Sequence, residues 1–224
     1  MRLPEYERIV DAARKPGRVV AANLSSVEES AATGEVAALY DYFRTHFGRP
    51  DVPGILKCFA THPPLLKHMM DLSESVIFAE GVLTRKHKEM IATLISEQNL
   101  CPYCADSHGF FLRVQGGSSQ TLAAIQNNDL CSLALTASER ILLEFVRKVN
   151  SNSHEIRRAD VEKVKQAGWS ELQIAEAVHV AALFATFNRV ANAFGLKSQG
   201  LLALYDEGDK AGYSKVTVPQ GSSQ

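Results

Sequence analysis

Apolar residues recur every three or four positions along most of this chain, which is the spacing of a helix with one buried face. The spacing predicts helices over residues 34–47, 63–81, 84 onward, 101–115, 118–127, 136 onward, 160–167 and 171–194. Period-two alternation, the mark of a half-buried strand, is confined to a weak stretch at residues 18–22. The pattern therefore predicts an all-α fold, a bundle of many helices.

Capping residues at the predicted helix starts support these assignments. Thr84 and Ser118 are suitable N-caps, and Thr136 with Glu139, like Ser170 with Gln173, has the spacing of a capping box. The helix over residues 171–194 is apolar around most of its circumference, so it is predicted to be central and buried. A Leu-Thr start followed by a glutamate occurs at residues 83–89 and again at 135–139. This echo could mark a duplicated helical unit or two ordinary capped helices.

Composition places the chain among ordinary soluble domains. Its 224 residues fit one domain or two small ones, and Lys+Arg (24) nearly cancels Asp+Glu (25), which argues against a nucleic-acid binder. We predict an N-terminal arm or extension over residues 1–32, a helical domain over 33–205 and a tail over 206–224. The first residues are charged where a signal peptide would be apolar, and the apolar stretch 174–187 is too short to span a bilayer. We therefore expect a cytoplasmic protein with no membrane contact.

Two of the four cysteines lie three residues apart. Pro102 follows Cys101 and suits a first helical position, so Cys101 is predicted as the N-cap, with Cys104 and His108 on the same helical face. The start of a helix stabilises a thiolate. His108, with an ordinary pKa near 6.5, could accept or relay the proton of Cys104. Cys58 and Cys131 stand alone and are predicted to be buried, inert thiols.

A carboxylate on the preceding helix could complete this group. Glu89 adjoins apolar positions, and it could reach His108 if the two helices form a hairpin. The basic run at residues 85–88 is interpreted as a solvated first turn. Zinc binding by Cys101, Cys104, His108 and Glu89 is a weaker alternative, since a second short pair of ligands is absent from the sequence.

The pattern Glu-x11-Cys-x-x-Cys-x3-His on a helical chain resembles the AhpD-like (alkylhydroperoxidase D-like) branch of the carboxymuconolactone decarboxylase family, in particular its peroxidase-related members. The resemblance extends over residues 53–126 and, more loosely, to residues 182–195. It implies an AhpD-like bundle and a thiol-dependent hydroperoxide reductase. By matching positions, Cys104 is the peroxidatic thiol, Cys101 the resolving thiol, and Glu89 with His108 the proton relay. Helix-terminus electrostatics alone would favour Cys101 as the more acidic thiol.

The resemblance also implies partners. These are a small hydroperoxide substrate, an external dithiol donor of lipoyl type in place of any bound cofactor, and assembly into a homo-oligomer, trimer or hexamer. No metal is implied. The best-known AhpD proteins have a second histidine between the cysteines, where this chain has Tyr103, whose phenol is no base at neutral pH. Because of this departure from the family pattern, we do not expect fast peroxidase turnover.

Weaker candidates and rival functions complete the predictions. Tyr103 and Asn188 are candidate substrate-pocket residues. One rival is a carboxymuconolactone decarboxylase-like lyase in which His108 and Glu89 act as acid and base. The other is a non-catalytic oligomer that senses oxidation or binds zinc through its cysteines.

Overall fold

The computed structural model describes residues 23–210, with the backbone alone for residues 207–210, and this part of the chain is helical without any strand. The helices are α1 (Gly34–Phe47), α2 (Gly54–Phe59), α3 (Pro63–Ser73), α4 (Arg85–Gln98), α5 (Pro102–Val114), α6 (Ser119–Gln126), α7 (Ala137–Asn152), α8 (Arg158–Gln166), α9 (Glu171–Phe194) and α10 (Leu201–Lys210). Short 3-10 turns lie at Glu29–Ala31 and Ser153–Glu155, and α3 continues into a π-helical turn, Glu74–Phe78. The all-α prediction is confirmed. The weak strand signal at residues 18–22 lies outside the described residues.

The local capping signals act as the sequence predicts. The side chains of Thr84 and Ser118 accept hydrogen bonds from the third helical N–H group, and complete capping boxes begin α7 and α9. Thr84 and Thr136, the two members of the repeated start, cap helices that pack against each other. Their glutamates differ, because Glu139 closes a capping box whereas Glu89 lies in the core.

Two apolar clusters build the core, and α9 contributes to both. One cluster unites α4 with α6, α7 and α8; the other unites α1, α2 and α3 with Leu183 and Phe187. The most deeply buried helix is nevertheless α4, in which every residue from Lys88 to Ser96 is buried. By length and composition α9 could cross a membrane, but half of its apolar window is buried against other helices, which accounts for its apolar character.

The basic run at the start of α4 is not a solvated turn. Arg85 pairs with Glu89, Lys86 and His87 lie against Glu139, and the buried Lys88 binds Glu176 Oε1 at 2.7 Å. This corrects the sequence interpretation. Each cation has an acidic partner on its own or a neighbouring element, which compensates for its unfavourable position at the positive end of the helix dipole.

Two helices, α2 and α10, were not predicted from the sequence. The helix α2 has six residues, too few for a periodic signal, and α10 owes its start to a distant residue. Asp106 on α5 accepts the backbone N–H groups of Gln199, Leu201 and Leu202 at 3.0 to 3.1 Å. The α10 helix thus runs through the predicted 205/206 boundary. Within the predicted arm, Asn23 and Val27 bond to the backbone of Phe194 and Lys57.

Candidate active site

A sharp turn joins α4 to α5 and places Cys101 at the N-cap of α5. Leu100, just before it, has a φ of 51°, a left-handed conformation that is strained for a leucine. The N–H of Cys101 donates to the Ser96 carbonyl at 2.9 Å, and Pro102 begins the helix. The predicted N-cap position of Cys101 is confirmed, and the two helices form the hairpin that the site needs.

The cysteine side chains lie 3.2 Å apart as free thiols. Both residues are buried, with 1% and 3% of their surfaces exposed. The hydrogen bond from Cys104, helped by the N–H groups of Tyr103 and Cys104 and by the Asn188 amide, outweighs burial and lowers the pKa of Cys101 to about 7. The same bond, burial and the charge of Cys101 raise the pKa of Cys104. In the resting pair, Cys101 is therefore the more acidic thiol.

The Glu89 carboxylate lies between His108 and Arg85 and contacts both. Its Oε2 atom lies 2.7 Å from His108 Nδ1, and its Oε1 atom accepts from Arg85 Nε at 2.6 Å and from the Arg85 guanidinium nitrogen Nη2 at 2.5 Å. The Glu89 side chain is fully buried. The predicted proximity of Glu89 and His108 is therefore observed, and it leaves Nε2 as the ring nitrogen available for proton exchange.

Opposing effects act on the Glu89 carboxyl. Burial raises its pKa, but the charges of His108 and Arg85 and their hydrogen bonds outweigh burial and hold the pKa below its usual value. Glu89 is thus an anion at neutral pH, compensated from both sides. Among residues 23–210, no three His, Cys, Asp or Glu side chains converge as a metal site would require.

The cysteine pair lies behind a small apolar cavity of about 80 Å3 that opens to solvent. Cys104, His108, Tyr103 and Ser107 contribute to its wall, whereas Cys101 does not. Aromatic side chains form much of the rest: Phe43, Phe47, Phe78, Phe111, Phe184 and Phe187. An adjoining groove shares several of these residues and extends to Arg85 and to the exposed pair of His46 and Glu74. A small apolar molecule can therefore reach Cys104 and His108 together.

Tyr103, a predicted substrate-pocket residue, lies in the cavity wall. Its hydroxyl accepts from the Ile55 N–H at 3.4 Å, and burial raises the pKa of Tyr103 to about 12. Asn188, the other predicted pocket residue, does not line the cavity. It is fully buried on α9, behind the cysteine pair and bonded to Ser96, because its position on that helix faces α4.

The remaining cysteines differ from each other. Cys58 is buried as predicted, and burial, with a contribution from the charge of Glu28, raises its pKa to about 12. Cys131 is exposed, so the prediction of a buried thiol was wrong there. It follows α6 in an irregular segment that the core does not cover.

Two contributors were missed at the sequence level. Arg85 lies one turn before Glu89, a spacing that signals a charge pair and could have been used. Phe184 packs edge-on against the His108 ring with centroids 4.4 Å apart, and Arg85 lies over the Phe78 ring at 4.6 Å. His108 and Phe184 lie far apart in the chain, and no local sequence pattern predicts either contact.

One known family matches the part of the chain that carries the candidate site. Residues 63–142, which include Glu89, both cysteines and His108, match the carboxymuconolactone decarboxylase family. A comparison with curated protein sequences gave no significant match.

Solved structures share the fold over most of the chain. An AhpD-core, uncharacterized peroxidase-related protein from Ralstonia eutropha JMP134 is 23% identical over 83% of this chain and 96% of its own, with a TM-score of 0.73. A peroxidase-related protein from Silicibacter sp. TM1040 is 25% identical over 81% and 93%, with a TM-score of 0.65. The debrominase Bmp8, solved with 2,3,4-tribromopyrrole, is 17% identical over 86% and 98%, with a TM-score of 0.64. Residues 63–142 are thus similar to the carboxymuconolactone decarboxylase family, and the described part of the chain shares the fold of the AhpD-like, peroxidase-related proteins.

Proposed function

We propose that this protein is a thiol-dependent hydroperoxide reductase. The observation that carries the proposal is the Glu89–His108 hydrogen bond of 2.7 Å beside two free thiols 3.2 Å apart, with Cys104 and His108 facing one apolar cavity. Thiol, imidazole and orienting carboxylate are the parts that an activated sulfur nucleophile needs. The aromatic wall suits a hydroperoxide with an organic, apolar group better than a strongly hydrated hydroperoxide without one.

In the first step the proton shared by the cysteines moves from Cys104 to Cys101, which leaves the thiolate on the cavity side. Cys104 Sγ attacks the terminal oxygen of the hydroperoxide, an S–O bond forms and the O–O bond breaks. The departing alkoxide takes the Nε2 proton of the His108 imidazolium, whose positive charge the Glu89 carboxylate balances. The products are an alcohol and a sulfenic acid at Cys104, and His108 regains its proton from solvent.

In the second step Cys101 Sγ attacks Cys104 Sγ. The S–OH bond breaks, the hydroxide takes the Cys101 proton and leaves as water, and a disulfide forms. The two sulfurs together lose two electrons, which reduce one O–O bond. An external dithiol of lipoyl type then returns two electrons and two protons by thiol–disulfide exchange, becoming a disulfide itself. A cytoplasmic homo-oligomer, trimer or hexamer, without bound metal or cofactor is part of this proposal.

Mass spectrometry of reduced protein exposed to cumene hydroperoxide tests the assignment. The wild type should form a Cys101–Cys104 disulfide, and Cys101→Ser should accumulate a sulfenic acid at Cys104 that dimedone traps. Cys131→Ser serves as the matched control, since it removes an exposed thiol outside the cavity. If Cys101 is oxidised while an intact Cys104 stays unmodified, the two roles are reversed. An absence of reaction at both thiols would refute the reductase.

The lyase alternative keeps one observation in its favour, because Glu89 and His108 could serve as acid and base without the thiols. Muconolactone-type substrate and the double variant Cys101→Ser, Cys104→Ser separate the two functions. Lactone turnover that survives in the double variant would favour the lyase. Loss of hydroperoxide consumption in the same variant, with no lactone turnover in the wild type, supports the reductase.

A further inference from the structure

A cluster of amides lies behind the cysteine pair, on the side away from the cavity. Asn99, in the turn after α4, bonds to Asn150 of α7 through two contacts of 2.9 and 3.2 Å. Its side chain also lies 3.0 Å from the Asn188 amide, and its carbonyl accepts from Asn192 at 3.1 Å. The turn that presents Cys101 is therefore fastened to both α7 and α9.

Asn188 is the innermost member of this cluster. It has no exposed surface, although it lies on the apolar helix α9 between Phe184 and Ala191, both buried. A buried amide is costly unless its polar atoms are bonded. Asn188 bonds to Ser96 Oγ at 3.0 Å, and an amide oriented to accept there donates to the Phe184 carbonyl at 2.9 Å. These bonds compensate for the cost of burying the Asn188 amide, provided that the Ser96 hydroxyl stays in its place.

Ser96 connects Asn188 to the reactive group. Its hydroxyl meets Asn188, and its carbonyl accepts the N–H of Cys101 at 2.9 Å. Ser96 is itself fully buried. The strained left-handed residue Leu100 lies between Ser96 and Cys101, so the turn needs an external hold to keep its shape.

We propose that Asn188 is a positioning residue for the cysteine pair: through its bond to Ser96 it holds the Ser96–Cys101 turn in place. The turn keeps Cys101 at the N-cap of α5, where the hydrogen bond from the Cys104 thiol and the N–H groups of Tyr103 and Cys104 lower its pKa. This role concerns the same site as the proposed reductase and rests on it. Its test needs no peroxide, so the two can fail separately.

The test is the pH profile of iodoacetamide alkylation, followed at Cys101 and Cys104 by mass spectrometry in the full chain. Asn188→Leu removes the amide at similar volume and should shift the profile to higher pH by about one unit, an approximately tenfold lower alkylation rate on the rising limb. The matched control is Asn192→Ala, which releases the Asn99 carbonyl from the same helix but lies on the exposed side. The control should retain the wild-type profile.

A second variant covers the case in which Asn188→Leu fails to fold. Asn188→Ala also removes the bond to Ser96 Oγ and is less bulky than leucine, so the profile should again move to higher pH. A wild-type profile in either folded variant would overturn the proposal. A shift of equal size in Asn192→Ala would overturn it too, because the turn would then depend as much on the exposed Asn99–Asn192 bond as on Asn188. A shifted profile in a protein that does not reduce hydroperoxide would refute the reductase and leave Asn188 in its role.

Discussion

Glu89→Gln removes one negative charge from the relay and keeps the shape of the side chain. The remaining oxygen can still accept from Arg85, which places the new NH2 group against His108 Nδ1, 2.7 Å away in the wild type. Nδ1 must then accept, and the ring proton moves to Nε2. A neutral imidazole in that tautomer would have to become an imidazolate to protonate the alkoxide, so proton delivery is blocked.

The size of the effect follows from the burial of this contact. Glu89 is fully buried and accepts three bonds of 2.5 to 2.7 Å from Arg85 and His108. General acid–base catalysis contributes about 10²- to 10⁴-fold, or about 3 to 5 kcal/mol at 1.36 kcal/mol per decade. We expect a loss in this range for hydroperoxide reduction. Stability should fall by about 1 to 3 kcal/mol, since hydrogen bonds to a charged group are replaced by neutral ones.

Single-turnover reduction of cumene hydroperoxide by prereduced protein measures the rate without an electron donor. The matched control is Glu176→Gln, a second carboxylate with a buried cationic partner, Lys88, which lies outside the cavity. It should lose comparable stability and keep its rate. Folded Glu89→Gln protein with the wild-type rate would show that the Glu89–His108 pair does not deliver the proton.

Further predictions concern the cavity wall and the core. Because burial raises the pKa of Tyr103 to about 12, its phenol supplies no base at neutral pH, and Tyr103→Phe should leave the single-turnover rate nearly unchanged; a loss as large as that of Glu89→Gln would contradict this. In Gly81→Ala the new Cβ would lie 1.9 Å from Glu176 Oε1 and displace that carboxylate from Lys88, so urea unfolding should show a loss of about 1 to 3 kcal/mol, and an unchanged midpoint would refute the contact. Burial raises the pKa of Glu176, but the hydrogen bonds from Lys88 and from backbone donors outweigh burial, so the folded pKa is lowered. The stabilisation by this carboxylate is therefore complete above the unfolded carboxyl pKa of about 4.3 and is lost as pH falls through the lower folded value. Thermal unfolding in acid should accordingly be less pH-dependent in Glu176→Gln, and an identical slope would count against the pair.

Local signals were sufficient for most of the helices. A capping side chain and a helical apolar stripe act within a few residues, so α4, α6, α7 and α9 could be predicted with their starts. The same holds for the N-cap position of Cys101, because proline in the next position and the spacing to Cys104 are local facts. The helix α10 could not be predicted in this way, since Asp106, far away in the chain, holds its first turn.

The sequence by itself determined the helical class and the helix on which each candidate site residue lies, and it singled out Cys101, Cys104, His108 and Glu89 as the candidates. Only tertiary packing decided that Glu89 is fully buried between Arg85 and His108. It also decided that Cys104 faces an aromatic cavity while Cys101 does not, its backbone N–H bonding to the buried Ser96. The physical reason is that burial, electrostatic environment and access depend on side chains brought from distant helices, which no spacing within one helix can specify.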